Sequence, residues 1–183
     1  MRTPLSYYGG KQQLAARILG MIPEHQIYCE PFCGGAAIFF AKKPSKVEVI
    51  NDTNGEVINF YEVLKRDFPA MEREIEISLH SRKQHRQARV VYENPDMFDR
   101  IKRAWAVWML ANGSYGCKLD GGFGYDRSGT TSNKLANRSS VVTLCVSSKA
   151  GTPRRRSSIL IRPMLEQIWA TMMVTPKWTL MPC

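Results

Sequence analysis

The stretch Tyr28-Cys-Glu-Pro-Phe-Cys-Gly-Gly-Ala-Ala-Ile-Phe-Phe40, followed by Ile50-Asn-Asp-Thr-Asn54, decides the fold of this chain. It predicts a strand over 27–30, a glycine turn, a helix over 34–43 and a second strand over 47–50 that ends near Asp52. In α/β proteins such a unit binds nucleotides, because glycines let the backbone approach the ligand and a carboxylate holds ribose hydroxyls. The pattern therefore predicts an α/β fold with a nucleotide site at the carboxyl ends of parallel strands.

The bulk composition agrees with a folded domain that binds a polyanion. The 183 residues carry a formal net charge of +10, which favours nucleic acid over a membrane surface as partner. Five scattered cysteines and three histidines show no metal-ligand spacing, so we expect no metal and a reduced, cytoplasmic chain. No signal peptide or membrane span is recognisable, and none is expected.

The middle of the chain has a different character from the beginning. Helices are predicted over 11–21 and 57–68, and a highly charged helix over 71–92. The range 98–111 has the strongest amphipathic pattern, and a mobile loop rich in glycine and aromatic residues is expected over 112–125. Beyond residue 139 the pattern weakens: one strand is predicted over 139–148, and 163–183 shows no clear strand order.

Three short motifs gather at the predicted site. They are Tyr7-Tyr8-Gly9-Gly10-Lys11, Glu30-Pro31-Phe32 with Gly34-Gly35, and Asn51-Asp52-Thr53-Asn54. Taken singly, each also fits a plainer interpretation: a surface lysine after a turn, a tight strand-to-helix connection, or an aspartate that caps the next helix. Their order and spacing favour one shared site.

These motifs resemble the adenine-specific DNA methyltransferases of the Dam (D12) class. The resemblance covers residues 1–64 closely and reaches to about residue 137. It implies a partial Rossmann-like methyltransferase sheet, S-adenosylmethionine as cofactor, and the exocyclic amine of adenine in duplex DNA as methyl acceptor. It also implies a division into a cofactor-binding core over 1–64, a mostly helical DNA-recognition insertion over 65–138, and an aberrant segment over 139–183. A restriction–modification context would fit.

The resemblance assigns roles to individual residues. The residues expected to contact the cofactor are Tyr7, Lys11, Glu30, Phe32, Gly34, Gly35 and Asp52. Independently of the resemblance, the basic and aromatic character of the insertion marks the residues expected to contact DNA, which are Arg82, Lys83, Arg86, Arg89, Asn112, Tyr115 and Tyr125. Further basic residues that could follow phosphates are Lys65, Arg66, Arg73, His85, Arg100, Lys102 and Arg103. For single arginines a solvated helix surface is the better interpretation, and the loop aromatic residues could instead pack against the core.

One motif of the family is missing. Its catalytic element is Asp-Pro-Pro-Tyr after a later strand, and this tetrapeptide does not occur in the sequence. We therefore assign no catalytic residue, and we expect the lone chain to bind cofactor or DNA at most. The serine- and arginine-rich stretch near 153–158 suggests a shifted reading frame or a premature stop. Two alternatives remain: a non-catalytic DNA-binding module, or half of a split methyltransferase completed by another chain.

Overall fold

The computed structural model describes residues 3–124 and the backbone of Thr179–Leu180. In chain order its helices and strands are α1 (Ala15–Leu19), β1 (Ile27–Glu30), α2 (Ala37–Ala41), β2 (Val47–Ile50), α3 (Gly55–Arg66), α4 (Phe68–Glu76), α5 (Arg82–Glu93), α6 (Arg100–Gly113) and β3 (Thr179–Leu180). Short 3-10 turns occupy Pro95–Met97 and Tyr115–Cys117. The described part of the chain is thus a mixture of helices and parallel strands.

The strands form a parallel sheet in the order β1-β2-β3. The pairing of β1 with β2 brings Ile27 opposite Val47 and Glu30 opposite Ile50, so both strands end at the same edge. The two strands predicted over 27–30 and 47–50 are confirmed with those bounds. An α/β fold is therefore confirmed in its coarse form, and the Rossmann-like topology stays a proposal.

Two expectations concern the end of the chain. The strand predicted over 139–148 and the basic cluster at 154–156 lie outside the described residues. No clear strand order was predicted within 163–183, whereas the structure has β3 at 179–180, where Val49 pairs with Thr179. A strand of two residues is too short to show the alternating pattern by which strands are recognised, so the sequence could not predict β3.

The charged stretch over 71–92 is not the single helix that we predicted. It forms α4 and α5, separated at 77–81. The break has a local cause, because Ser81 begins α5 by accepting a hydrogen bond from the amide of Gln84 at 3.2 Å. Serine followed three residues later by glutamine is a known signature of a helix start. The side chain of Gln84 also takes part in the helix start, because its oxygen accepts a hydrogen bond from the amide of Leu79.

The helix α6 is central rather than amphipathic. We expected one apolar face over 98–111, but every residue from Ala104 to Gly113 is buried. It packs against α3, α4 and α5, and a helix enclosed on all sides buries its polar positions too. The apolar core is continuous from Leu5 through the aromatic residues of α3 to Leu119.

The other helices start and end close to the predicted bounds. The structure has α3 at 55–66 where 57–68 was predicted, and α1 and α2 are shorter than expected. Asn54, not Asp52, caps α3, because its side chain accepts a hydrogen bond from the amide of Glu56 at 3.1 Å. The carboxylate of Asp52 is left for other partners.

A buried ion pair lies at the opposite end of the strands from the predicted site. Lys42 follows α2, and its ammonium contacts the carboxylate of Glu48 on β2, with both side chains almost fully buried. The ammonium also donates to Ser45 Oγ at 2.8 Å, and that oxygen is 2.8 Å from His25 Nε2. This network connects α2 to the start of β2.

Candidate functional site

The glycine turn between β1 and α2 is held by the end of β2. The amide of Gly34 donates to Asp52 Oδ2 at 2.8 Å, and the amide of Cys33 donates to the carbonyl of Asn51 at 2.9 Å. Gly34 has φ +47°, and Ala36 also lies in the left-handed region with φ +50°. The turn therefore has a defined backbone conformation that is held by hydrogen bonds.

A side chain at either glycine of the turn would crowd a close neighbour. A Cβ on Gly34 would lie 3.0 Å from Cδ1 of Tyr7. A Cβ on Gly35 would lie 3.0 Å from the carbonyl oxygen of Leu5 and 3.3 Å from Cβ of Tyr7. The N-terminal segment thus packs directly on the turn, and Tyr7 supports it. Burial and the charge of Asp52 raise the pKa of Tyr7.

Lys11 and Glu30 join the first motif to the second. The Lys11 ammonium donates to the carbonyl of Phe32 at 3.1 Å and lies 3.5 Å from Glu30 Oε1. Glu30 is buried, and its other oxygen accepts hydrogen bonds from the Phe39 amide and the Tyr28 hydroxyl, both at 3.2 Å. Burial raises the pKa of Glu30, and the charge of Lys11 opposes that shift. Lys11 itself remains 44 % exposed and is available to an anionic ligand.

Asp52 is buried and largely satisfied by the backbone. Its side chain accepts from the Gly34 amide through Oδ2 and from the Asn54 amide through Oδ1 at 3.0 Å. A carboxylate can accept more than two hydrogen bonds, so these backbone contacts are compatible with a further hydroxyl donor. Asp52 is only 7 % exposed, which restricts the direction from which a ligand can approach it.

The structure brings the predicted cofactor residues to one edge of the sheet. Phe32 and Lys11 are exposed there, whereas Glu30, Gly35 and Asp52 are buried. Two further residues contact this edge and were not predicted, Tyr28 and Tyr61. The Tyr61 hydroxyl donates to the carbonyl of Gly34 at 2.8 Å. Its place in the apolar stripe of α3 indicated a core residue, and no sequence signal marked its hydroxyl.

A second group of predicted residues lines α5. Arg82, Lys83 and Arg86 are exposed on this helix, and Arg89 is partly buried. Arg89 donates to the carbonyl of Gly121 and pairs with Glu93 at 3.6 Å. A cavity of about 440 Å³ lies beside them. The residues that line it are Arg82, His85, Arg86, Arg89, Asp120, Gly122 and Phe123.

The loop after α6 is anchored at several points. Ser114 pairs with Phe123 across an isolated bridge, and the Tyr115 amide donates to the carbonyl of Gly122 at 2.9 Å. The Phe123 ring packs against the rings of His80 and His85, with centroids 4.8 and 5.6 Å apart. Up to residue 124, the expected mobile loop is therefore folded onto α5.

Three of the predicted DNA contacts need comment. Asn112 is buried, and its side-chain amide donates to the Trp108 carbonyl at 2.7 Å, so it lies in α6 and not in the expected loop. The reason is that α6 is enclosed as far as its last turn. Tyr115 is 79 % exposed, as a surface contact requires. Tyr125 lies outside the described residues.

Several other basic residues are engaged in ion pairs. Arg100 pairs with Asp67 at 2.8 Å and Lys102 with Glu74 at 3.0 Å. Arg103 binds Glu56 through two nitrogens, and its Nε lies 3.0 Å from the carboxylate. These side chains connect α6 to α3 and α4. Fixing helices together is therefore the function that the structure supports for them, in place of contact with phosphates.

Metal-ligand clusters and membrane-spanning helices are both absent from the described residues. Within 3–124, no three histidine, cysteine, aspartate or glutamate side chains are grouped as metal ligands. Over the same part of the chain, no helix has the length and apolar character that crossing a membrane demands.

Comparison with known proteins identifies similar sequences. Residues 7–112 match the family model described as D12 class N6 adenine-specific DNA methyltransferase, which is more than half of the chain. The Type II methyltransferase M1.LlaDCHI of Lactococcus lactis subsp. cremoris is 34 % identical over 121 residues, covering 66 % of this chain and 42 % of that protein. The DNA N-6-adenine-methyltransferase of Escherichia phage P1 is 35 % identical over 66 residues, covering 36 % of this chain and 9 % of that protein. The chain therefore spans less than half the length of these two relatives.

Proposed function

Because the chain belongs to the D12 class of N6 adenine-specific DNA methyltransferases, we propose that it carries the part of such an enzyme that binds the methyl donor and contacts DNA. The reaction of the whole enzyme would transfer a methyl group from S-adenosylmethionine to the exocyclic amine of adenine in duplex DNA. The residues would divide as the sequence predicts, with the cofactor part over 1–64 and the DNA-recognition part over 65–138.

One observation carries the cofactor proposal. The exposed ammonium of Lys11, the Gly34–Gly35 turn and the carboxylate of Asp52 lie at the carboxyl ends of β1 and β2. Ligands of open parallel sheets bind at this edge. The donor set fits S-adenosylmethionine, because the ligand has a carboxylate for a cation and ribose hydroxyls for an acceptor. Its sulfonium supplies an activated methyl group, and such a group reacts without a metal.

The residues of the chain would bind and orient the ligand. Lys11 would pair with the ligand carboxylate, and the turn would bring backbone amides close to it. Glu30 would hold the position of Lys11, since the two side chains already contact each other. Because the sequence contains no Asp-Pro-Pro-Tyr motif, we expect binding without turnover from these 183 residues alone.

Titration with S-adenosylmethionine by calorimetry tests the cofactor site. Lys11→Met should weaken binding about tenfold or more, because it removes a charge-assisted contact of the size expected for a charged hydrogen bond. Lys46→Met is the matched control, since Lys46 is an exposed lysine that precedes β2 at the other end of the strands. Equal affinities of wild type and Lys11→Met would contradict the assignment of Lys11. No detectable binding to wild type would contradict the cofactor proposal as a whole.

The surface of α5 supports the DNA proposal. Arg82 and Arg86 are exposed and line a cavity bordered by the Phe123 ring, and cations beside an aromatic side chain suit a nucleic-acid contact. Chemistry on a base also requires that the base leave the duplex, so aromatic residues near the surface are suited to receive it.

Binding of duplex DNA at several salt concentrations tests this surface. Arg86→Ala should weaken binding and reduce the salt dependence by about one released counterion. Arg17→Ala on α1 is an exposed arginine control that should leave the salt slope unchanged. A slope that falls equally in both variants would indicate a diffuse charge effect and contradict a specific role of α5.

One observation favours a second function, a DNA-binding module that has no use for cofactor. Asp52 is nearly enclosed, and both its oxygens already bind backbone amides. Under this alternative the carboxylate only maintains the turn. If neither wild type nor Asp52→Ala binds S-adenosylmethionine, while wild type binds DNA, the result favours the DNA-binding module.

A further inference from the structure

Tyr61 lies in the middle of α3 and is completely buried, with 0 % of its surface exposed. Its ring packs against Phe40 and Phe60, so the apolar part of the side chain belongs to the core. The hydroxyl of Tyr61 is the one polar atom of this side chain, and it has a polar partner. It donates to the carbonyl oxygen of Gly34 at 2.8 Å, across 27 positions of the sequence.

The Gly34 residue is therefore held from both sides. Its amide donates to Asp52 Oδ2 at 2.8 Å, and its carbonyl accepts from Tyr61 at the same distance. The φ of +47° at Gly34 is a conformation that needs such support, because an extended alternative is open to glycine at little cost.

The carbonyl of Gly34 shares a peptide plane with the amide of Gly35. A trans peptide places the C=O and the N–H on opposite sides, so a carbonyl directed at Tyr61 turns the Gly35 amide away from it. Gly35 also lines a cavity of about 160 Å³ together with Tyr7 and Gly10. The direction of one potential ligand donor is thus determined by a hydroxyl in the core.

A phenylalanine would fill the core at position 61 equally well. The hydroxyl is buried and must have a partner, since an unpaired buried donor is unfavourable. Burial raises the pKa of Tyr61 well above its ordinary range, which keeps the hydroxyl a donor. The polar atom is therefore directed at the turn and is not an incidental feature of the packing.

We propose that Tyr61 is a positioning residue for the methyl donor, and that its hydroxyl acts through the Gly34–Gly35 peptide without touching the ligand. The inference rests on the proposed function, because it deepens the role of the same site. It predicts that affinity for the ligand depends on an atom that lies inside the core.

Tyr61→Phe tests the inference with two measurements on the full chain. Calorimetry should show that the affinity for S-adenosylmethionine is reduced about fivefold, which is the effect expected for the loss of one hydrogen bond. Hydrogen exchange should show faster exchange of the backbone amides over 33–36, by a similar factor, without any ligand present.

Ser78→Ala is the matched control. It removes the acceptor of a different buried hydrogen bond, that from Trp105 Nε1 at 2.6 Å, which joins α6 to the end of α4. This variant should lose stability yet keep both the ligand affinity and the exchange rates over 33–36. Both variants are measured well below their unfolding temperatures, so that a general loss of stability does not imitate the effect.

The outcomes separate the inference from the proposed function. The positioning role would be overturned if Tyr61→Phe bound S-adenosylmethionine as tightly as wild type does. It would also be overturned if Ser78→Ala lost as much affinity as Tyr61→Phe. If wild type binds no S-adenosylmethionine, the cofactor proposal fails, and exchange alone decides whether Tyr61 fixes the turn. Unchanged exchange over 33–36 in Tyr61→Phe would then overturn the inference as well.

Discussion

The carboxylate of Asp52 accepts a hydrogen bond from the backbone amide of Gly34 at 2.8 Å, so the end of β2 holds the turn that follows β1. The sequence suggests that both residues contact a ligand, but they also contact each other. Asp52 thus contributes to the stability of the turn, apart from any hydroxyl that it binds.

Asp52→Asn should lower the free energy of unfolding by about 1–3 kcal/mol. The two carboxylate oxygens accept from different amides, and asparagine has one oxygen, so one buried amide loses its acceptor. Urea denaturation measures the change. Asp99→Asn is the control, because Oδ1 of Asp99 alone accepts from both amides at the start of α6 and asparagine caps helices equally well. Equal losses in the two variants would contradict this account.

Gly34→Ala should be destabilised by about 2 kcal/mol, because its backbone is left-handed and the new Cβ would meet the ring of Tyr7 at 3.0 Å. Gly55→Ala is the opposite case. It begins α3 with open space around the added Cβ, so it should be neutral or slightly stabilising. Thermal unfolding of the two variants checks the difference, and similar midpoints would show that the turn tolerates a side chain.

Breaking the buried ion pair should cost about 3–5 kcal/mol in either single variant, Lys42→Met or Glu48→Gln, since each leaves an enclosed charge without its partner. The double variant should recover part of this loss, because no lone charge then remains. A double-mutant cycle in urea measures the coupling. Additive single effects would show that the pair contributes little beyond the volume of its side chains.

Stability should fall as the pH falls from about 7.5 towards 5.5. Burial, and next the charge of Arg89, lower the pKa of His85 below its ordinary value of 6.5. A group whose pKa is lower in the folded state contributes stability above its unfolded pKa and loses it as the pH falls through the folded pKa. The pKa of His80 is lowered in the same direction, mainly by burial.

The variant His85→Gln isolates the contribution of His85 to this slope. Glutamine keeps a polar atom for Ser114 Oγ, which His85 Nε2 contacts at 2.8 Å, but it does not titrate in this range. Urea midpoints between pH 5.5 and 7.5 should therefore change less in the variant than in wild type. An identical slope would assign the pH dependence to His80 or to other groups.

The strands and the turn could be predicted because their signals are local. Apolar residues bounded by proline and glycine determined β1 and β2, and a glycine pair determined the turn. The division of 71–92 into two helices also has a local signal, the helix-start signature of Ser81 and Gln84. The role of each cofactor residue stays a prediction, because side chains in one place do not by themselves identify a ligand.

Other features could not be predicted because they depend on distant parts of the chain. The pattern of α6 suggests one apolar face, and only the positions of α3, α4 and α5 show that all its sides are covered. For the same reason Asn112 was expected in the loop, whereas it lies in the last turn of α6. The hydrogen bond from Tyr61 to Gly34 links residues 27 positions apart, and periodicity carries no information about such a contact.

The continuous core that joins α3 to α6 limits how this protein can be recombined with its relatives. Exchanging 65–124 for the equivalent stretch of a relative would replace α6, against which α3 packs. It would also remove Arg103, the partner of Glu56 on α3. A hybrid that takes α4, α5 and α6 from a relative should therefore inherit α3 along with them, so that the crossover falls in the polar segment before Gly55.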